Sequence, residues 1–375
     1  MAVSLKNLAS LYTEQGKYAQ AEPLYLRVLS IRGQQLGSDD PAVASLLDHL
    51  ASLYAEQGKY AQAEPLYQRA LSIWKQRLEP EHPAVAESLG GLARLYAEQG
   101  KYAQAEPLYQ RALSIQQQRL GPEHPDVAFS LYNLAILYAK QGKYAQAELF
   151  YQRALSIWET QYGPEHPAVA SSLDHLVNLY AEQGQYAQAE LFYQRILRIK
   201  EQQLGPEHPA VASSLDYLAR LSAKQSKYAQ AEVLYQRALS IQQQRLGPGN
   251  PAVASSLDHL ASLYAEQGKY TQAEPLYQRA LSIWGHCEMT SSFNNWADVV
   301  SSLTGLAEIH ASQGRYAQAE PLYQRALSIW ETQYGPEDPL VPALLTEIAN
   351  LYTKQGKYDQ AASLYQRILR LQGQQ

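Results

Sequence analysis

"QGKYAQAEPLYQRALSI" spans residues 57–73, recurs letter for letter at 99–115, and returns at 313–329 with one Lys replaced by Arg. The tyrosine of this "QGKY", or of its counterpart, falls at 18, 60, 102, 144, 186, 228, 270, 316 and 358. Successive tyrosines are 42 residues apart, except for a step of 46 between Tyr270 and Tyr316. Nine repeats therefore fill the chain almost end to end, and no linker or second composition separates them. A period of this length marks stacked supersecondary units, each unable to bury its apolar face alone. The expectation is one elongated array over residues 1–375 rather than several globular domains.

Each repeat carries two helical patterns. In the first, Val43, Leu46, Leu47, Leu50, Leu53 and Tyr54 recur at steps of three and four and form one apolar face. Gly58 then stands where a helix stop favours positive φ. In the second, Tyr60, Ala63, Tyr67, Ala70 and Trp74 repeat the same steps. Pro83 suits a first helical turn, where its missing N–H is not needed. Before the equivalent prolines stand Asp40, His82, His124, His166, His208, Asn250 and Asp338. Asp and Asn are ready N-caps and His a weaker one, so capping is the expected role of the evenly spaced histidines. Pro23, Pro65, Pro107, Pro275 and Pro321 lie beyond the first turn of the second pattern, so these helices either bend or begin late. Trp74, Trp158, Trp284 and Trp330 share one late position, where packing against the next repeat is expected.

Leu47, Leu50, Ala51, Tyr54, Ala63, Tyr67 and Ala70 match, in order and spacing, the signature of the tetratricopeptide repeat. The small residues let helix backbones approach and the tyrosines fill the wider gaps. The usual unit is about 34 residues long. The longer form here, with "LASLYAEQGKYAQAEPLYQRALSI" at 50–73 and "LGPEHPDVA" at 120–128, resembles the repeats of kinesin light chains and of light-chain-like bacterial proteins. The resemblance covers all nine repeats. It implies an all-α, right-handed superhelical solenoid of stacked antiparallel helix pairs, with the first helix of each pair lining a concave groove. Because the first repeat begins at Met1, the heptad-rich segment by which a light chain grips its motor is not expected here.

In the second repeat, the groove-facing positions of such a solenoid are Ser45, Asp48, His49, Ser52 and Glu56. Light chains carry Leu-Asn-Asn-Leu at this point, and the second Asn can pair with a peptide backbone through both ends of its amide. That Asn persists as Asn7 and Asn133. Elsewhere the pair becomes Asp48–His49, Asp174–His175, Asp216–Tyr217 and Asp258–His259. With Ser52, Asn178 and Arg220, these residues form the expected peptide-binding groove, and Asp174, His175, Asp216 and Tyr217 are expected at its middle. Acidic residues outnumber basic ones at the groove positions. A basic or neutral polar segment is thus the expected partner, rather than the Trp-plus-acid peptides that light chains take. The same polar row is also what a solvated face drifting after duplication would show.

Catalytic and metal chemistry find little support. Neighbouring Asp and His on a helix point about a quarter-turn apart, so neither orients the other. No H-E-x-x-H spacing and no Gly-rich phosphate loop occurs; Gly90 and Gly91 fall inside a helix. No catalytic residue, metal or cofactor is expected. Formal net charge is −5, so no basic field invites nucleic acid or anionic lipid. Cys287 is the only cysteine, which excludes a disulfide within the chain. With no leader and no bilayer-spanning apolar run in view, the expectation is a soluble, cytoplasmic protein.

One segment departs from the period. "GHCEMTSSFNN" at 285–295 is four residues longer than its counterparts and holds Cys287 and Phe293, with Trp296 just after it. A loop is expected there, either an inert insertion or a binding element. The expected function is a protein- or peptide-binding scaffold or adaptor. The alternatives are an enzyme or sensor with its site around 285–296, or the sensor part of a larger signalling protein. The chain stops at "ILRLQGQQ", so Leu369 and Leu371 are expected to be partly exposed and weak end-to-end self-association to follow.

Overall fold

In the computed structural model, residues 2–287 and 295–373 are described, and they form eighteen helices with no strand among them. The helices pair as the period requires. α3 (Pro41–Glu56) and α4 (Tyr60–Arg77) form the second repeat, α5 (Pro83–Glu98) and α6 (Tyr102–Leu120) the third, and α7 (Pro125–Lys140) and α8 (Tyr144–Tyr162) the fourth. The chain divides into two compact bodies, Met1–Gln183 and Gly184–Gln375. The division falls between α9 (Pro167–Glu182) and α10 (Tyr186–Leu204), the two helices of the fifth repeat.

The core follows the two apolar faces. Ala51, Ala63 and Ala70 are fully buried, Tyr67 is 3% exposed, and Leu47, Leu50 and Leu53 are buried with them. Each such leucine removed from water is worth roughly 1.5–3 kcal/mol. The alanines matter for what they lack, since a larger side chain at a helix crossing would force the backbones apart.

Local chemistry places the helix ends. Asp40 Oδ1 accepts from the Ala42 amide at 2.8 Å, and Asn250 Oδ1 accepts from Ala252 at 3.0 Å. The histidines do the same through Nδ1: His82, His124 and His166 accept from the amide two residues on at 3.2 Å, and His208 at 3.1 Å. An accepting Nδ1 carries no proton, so each capping ring is the neutral Nε2–H tautomer. Between the helices of the second repeat, Gly58 takes φ +71°. Ser226 occupies the equivalent place in the sixth repeat at φ +59°, where a Cβ is strained.

The helices with an internal proline do not begin late. α4 starts at Tyr60, five residues before Pro65. Pro65 and Ala61 are both exposed, so water can reach the Ala61 carbonyl that loses its intrahelical donor. Trp74, Trp158 and Trp284 are buried, whereas Trp330 donates from Nε1 to Asp338 Oδ1 at 2.8 Å.

A hydrogen bond binds repeat to repeat. The hydroxyl of Tyr54 donates to Glu22 at 3.0 Å, that of Tyr96 to Glu64 at 2.8 Å, that of Tyr138 to Glu106 at 3.0 Å and that of Tyr180 to Glu148 at 2.6 Å. In the second body Tyr264 donates to Glu232 at 2.8 Å and Tyr352 to Glu320 at 3.1 Å. The lysine of "QGKY" covers the same ring, with Lys59 Nζ 5.4 Å from the Tyr54 centroid. Two repeats lack the tyrosine. Where Ser222 replaces it, Glu190 takes hydrogen bonds from Gln225, Lys227 and Gln230 at 2.7–2.8 Å. Where His310 replaces it, Arg315 binds Glu274 through both terminal nitrogens, at 3.2 and 2.6 Å. The single Lys→Arg change in the third copy of the opening string thus accompanies the loss of a tyrosine.

Only the two ends of the odd segment lie among the described residues. Gly285, His286 and Cys287 continue α14 (Tyr270–Cys287), and Trp296 opens α15 (Trp296–Ser312). The His286 ring bonds the Ser282 carbonyl one turn back, as within any helix. Residues 288–294, with Phe293, lie outside the described residues, as does the side chain of Cys287. In α18 (Tyr358–Gln372), Leu369 is 68% exposed and Leu371 is half-buried.

Two substitutions test this architecture. Ala105→Leu should cost roughly 1–3 kcal/mol by overpacking. Hydrogen exchange should then rise in the second to fourth repeats and little elsewhere; uniform loosening would contradict nearest-neighbour stacking. Ser226→Gly should raise stability by about 0.5–1 kcal/mol in denaturant unfolding, because it relieves a left-handed residue that carries a Cβ. A loss of stability would show that the serine side chain repays its strain.

Candidate groove and the cleft in it

The first helices present their polar residues in register because successive repeats stack at a fixed period. In the first body His49, His175 and Asn133 are half-buried, while Asp174 and Asn178 are exposed. The His49 ring bonds the Ser45 carbonyl at 2.5 Å. His175 packs edge-on against Tyr132 with centroids 5.0 Å apart, and the Tyr132 hydroxyl lies 3.1 Å from its Nδ1. In the second body Tyr217 stacks on Tyr193 at 4.4 Å, and the Arg220 guanidinium sits 5.0 Å over the Tyr217 ring.

The aspartates are less available than their place in the pattern implies. Asp48 Oδ2 accepts from Trp74 Nε1 at 3.0 Å and from Ser88 Oγ at 2.6 Å. Asp216 accepts from Ser256 at 3.1 Å and pairs with His259 at 2.9 Å. Asp258 is 5% exposed and accepts from Ser301 at 2.9 Å and Ser302 at 2.6 Å. These three carboxylates hold the next repeat's first helix. Asp and His do not pair within a repeat but across the junction, as Asp216 and His259 show. Burial works against charge on His259, yet the hydrogen bond and charge of Asp216 prevail and raise its pKa. Asp174 and Asp216 belong to different bodies, and each is placed only within its own.

A cleft of about 610 Å3 opens in the first body between α3, α5 and α7. Asp48, His49, Ser52 and Asn133 line it, as do Glu87 and Phe129, one and two periods on from Ser45, and Arg94, one period on from Ser52. Gln116, from the second helix of the third repeat, is the lining residue that the groove pattern does not single out. Its cause is a loss of side chains. Gly90 and Gly91 stand where the second repeat has Asp48 and His49, and Gln116 stands where it has Trp74. Each glycine inside a helix costs about 1 kcal/mol relative to alanine. Gly91 has a packing reason, because a Cβ there would lie 2.5 Å from the Tyr67 ring. Gly90 has none, since a Cβ there would meet nothing within 4 Å. Three coincident changes in one repeat were the available signal for the cleft.

Burial pushes the Asp48 carboxyl up to about 7, against the hydrogen bonds of Ser88 and Trp74, and the nearby Glu87 charge adds to the rise. Among the described residues its Oδ1 is buried with no hydrogen-bond donor. No group of three or more metal-ligating side chains occurs among them, and no described helix is long and apolar enough to cross a membrane.

The raised Asp48 pKa fixes a sign. An unfolded aspartate ionises near pH 4, so between about pH 4 and 7 the folded state holds a proton that the unfolded state has lost. The resulting stabilisation is complete below pH 4 and is lost as pH rises through 7. Asp48→Asn should flatten this decline and leave the variant roughly 1–3 kcal/mol more stable than the parent at pH 8. Denaturant titrations at pH 5 and 8 measure it; equal slopes for both proteins would refute it.

The tetratricopeptide repeat model matches residues 1–76, 43–118, 95–160, 150–202, 192–244, 211–284 and 298–374. No curated protein matches the chain in sequence. Among solved structures, a putative kinesin light chain of Podosopora anserina with nearly identical TPR-like repeats is 27% identical, with a TM-score of 0.50, over 56% of this chain and all of that one. The apo form of RapI shares the fold at TM-score 0.68 and 14% identity, covering 99% of this chain and 97% of that one. The quorum sensor NprR from B. thuringiensis shares it at 0.56 and 16%, covering 98% of each. Light-chain-like repeats are thus among the structures this chain resembles, the family matches leave out the odd segment at 285–297, and the chain belongs to the tetratricopeptide repeat family.

Proposed function

We propose that the chain is a protein- and peptide-binding scaffold whose first helices line the binding groove, with all nine repeats acting as one array. The observation that carries this reading is the register of polar side chains on those helices. Asp174, His175 and Asn178 in one body, and Tyr217 and Arg220 in the other, remain exposed or half-buried, while the carboxylates beside them are committed to stacking. Such a row suits an extended segment, whose backbone groups need partners at regular intervals. It offers no nucleophile with a base and orienting group, as catalysis would need.

The partner is a basic or neutral polar segment, because acidic positions outnumber basic ones on the first helices. A cytoplasmic setting agrees with the lone cysteine. Weak end-to-end association of copies would use the exposed Leu369 face of α18. The competing reading, an enzyme or sensor centred on 285–296, has most of its residues outside the described ones.

A peptide array of basic, neutral polar and acidic segments, followed by calorimetry on the hits, tests the scaffold reading. Basic and neutral segments should bind, and affinity for the basic ones should fall with added salt. Asp174→Asn with Asn178→Ala should weaken binding by about 1–2 kcal/mol and leave the fold intact. Deleting residues 288–294 should leave binding unchanged. Binding that survives the groove changes and fails on the deletion would instead place the site at the odd segment.

A further inference from the structure

The cleft in the third repeat is more specific than the groove around it. Its walls contribute the carboxylates of Asp48, Glu87 and Asp126 against one cation, Arg94. Arg94 is already engaged, since its Nη2 donates to Ser52 Oγ at 3.1 Å. Glu87 lies close enough to Asp48 for their charges to repel, and among the described residues no donor meets Asp48 Oδ1. Glu87 is exposed at the cavity and makes no ion pair among the described residues, so its charge is the one open to a cation there. At the rim stands Phe129, 55% exposed, where the other repeats have no aromatic residue. A large apolar ring left in water at the mouth of an acidic cavity suits a ligand with an aliphatic stem and a cationic head. The volume, about 610 Å3, falls within the range of ligand clefts, roughly 300–1,000 Å3.

We propose that the cleft opened by Gly90 and Gly91 anchors a basic side chain, arginine or lysine, of the bound peptide. The stem packs on Phe129 and beside the Gly90 backbone, and the charged head meets Glu87 on the Asp48 side. This rests on the scaffold reading and deepens it: the groove supplies length, and the third repeat supplies the residue that sets register. The two glycines are then the defining residues of the site, because any side chain at position 90 would occupy the space that the ligand needs.

Gly90→Gln provides the decisive variant. A Cβ at this position is unobstructed, and glutamine favours a helix more than glycine does, so the thermal midpoint should hold or rise. The probes are acetyl-Gly-X-Gly-amide peptides with X as Arg, Lys, Gln or Glu, titrated calorimetrically at low salt. The Arg and Lys probes should bind at least tenfold more tightly than the Gln and Glu probes. Gly90→Gln should weaken them at least tenfold, and Glu87→Gln several-fold. No binding of the Arg probe to the parent protein, equal binding of the Glu probe, or unchanged binding in Gly90→Gln would each overturn the proposal. Array-selected peptides that still bind Gly90→Gln at full affinity would remove the anchor and leave the scaffold standing. Failure of every array peptide would remove the scaffold reading itself.

Discussion

The hydroxyl of a tyrosine near the end of a first helix, donated to a glutamate in the preceding repeat, is the polar contact that sets how one repeat sits on the next. It joins residues 32 positions apart, as in Tyr54 and Glu22 or Tyr96 and Glu64. Apolar packing between repeats supplies most of the free energy, and the hydrophobic effect behind it has no direction of its own. A hydrogen bond to a carboxylate is directional, and a shift of an ångström breaks it. The two exceptions show how strictly the contact is kept. With Ser222 the glutamate passes to Gln225, Lys227 and Gln230, and with His310 it passes to Arg315. In both cases a buried or half-buried carboxylate would otherwise lose its partner, at a cost of about 1–3 kcal/mol.

A fixed register has consequences for the groove. Once the first helices are aligned, a residue at a given position faces the same positions of the neighbouring repeat, so a change of side chain there is felt across the junction. The aspartates at positions 48, 216 and 258 each find a serine on the next first helix. Their charge contributes to the groove only as partly or wholly buried carboxylates. The third repeat replaces this arrangement with two glycines and a glutamine. The stacking survives because the Tyr96–Glu64 and Tyr138–Glu106 bonds lie elsewhere on the helices. Space for a ligand is therefore gained without disturbing the contact that aligns the array.

Much was legible in the sequence alone. The 42-residue period, the helix pairs, the capping by Asp40, His82, His124, His166, His208 and Asn250, and the stop at Gly58 are local matters, set within a few residues of where they appear; Asp338 stands at the same place but α17 (Val341–Lys354) begins after it, without a side-chain cap. The buried alanines and tyrosines follow from spacing along one helix. Of the cleft, Asp48, His49, Ser52 and Asn133 were legible as groove positions, although nothing in their pattern showed that they meet in one cavity.

The tertiary structure decided which of several chemically identical residues are free. Asp174 is exposed and Asp258 is buried, though both precede a histidine at the same place in the repeat. The difference depends on side chains that arrive from other helices. Asp48 is occupied by Trp74 and Ser88, which lie 26 and 40 residues away. Likewise Gly90 reads as an ordinary weak point in a helix until its neighbours across the junction are known. Periodicity determines which face a residue occupies. Burial, charge state and open space are set by what packs against that face, and this is why the sequence determined the array while only the folded chain decided where it can hold a partner.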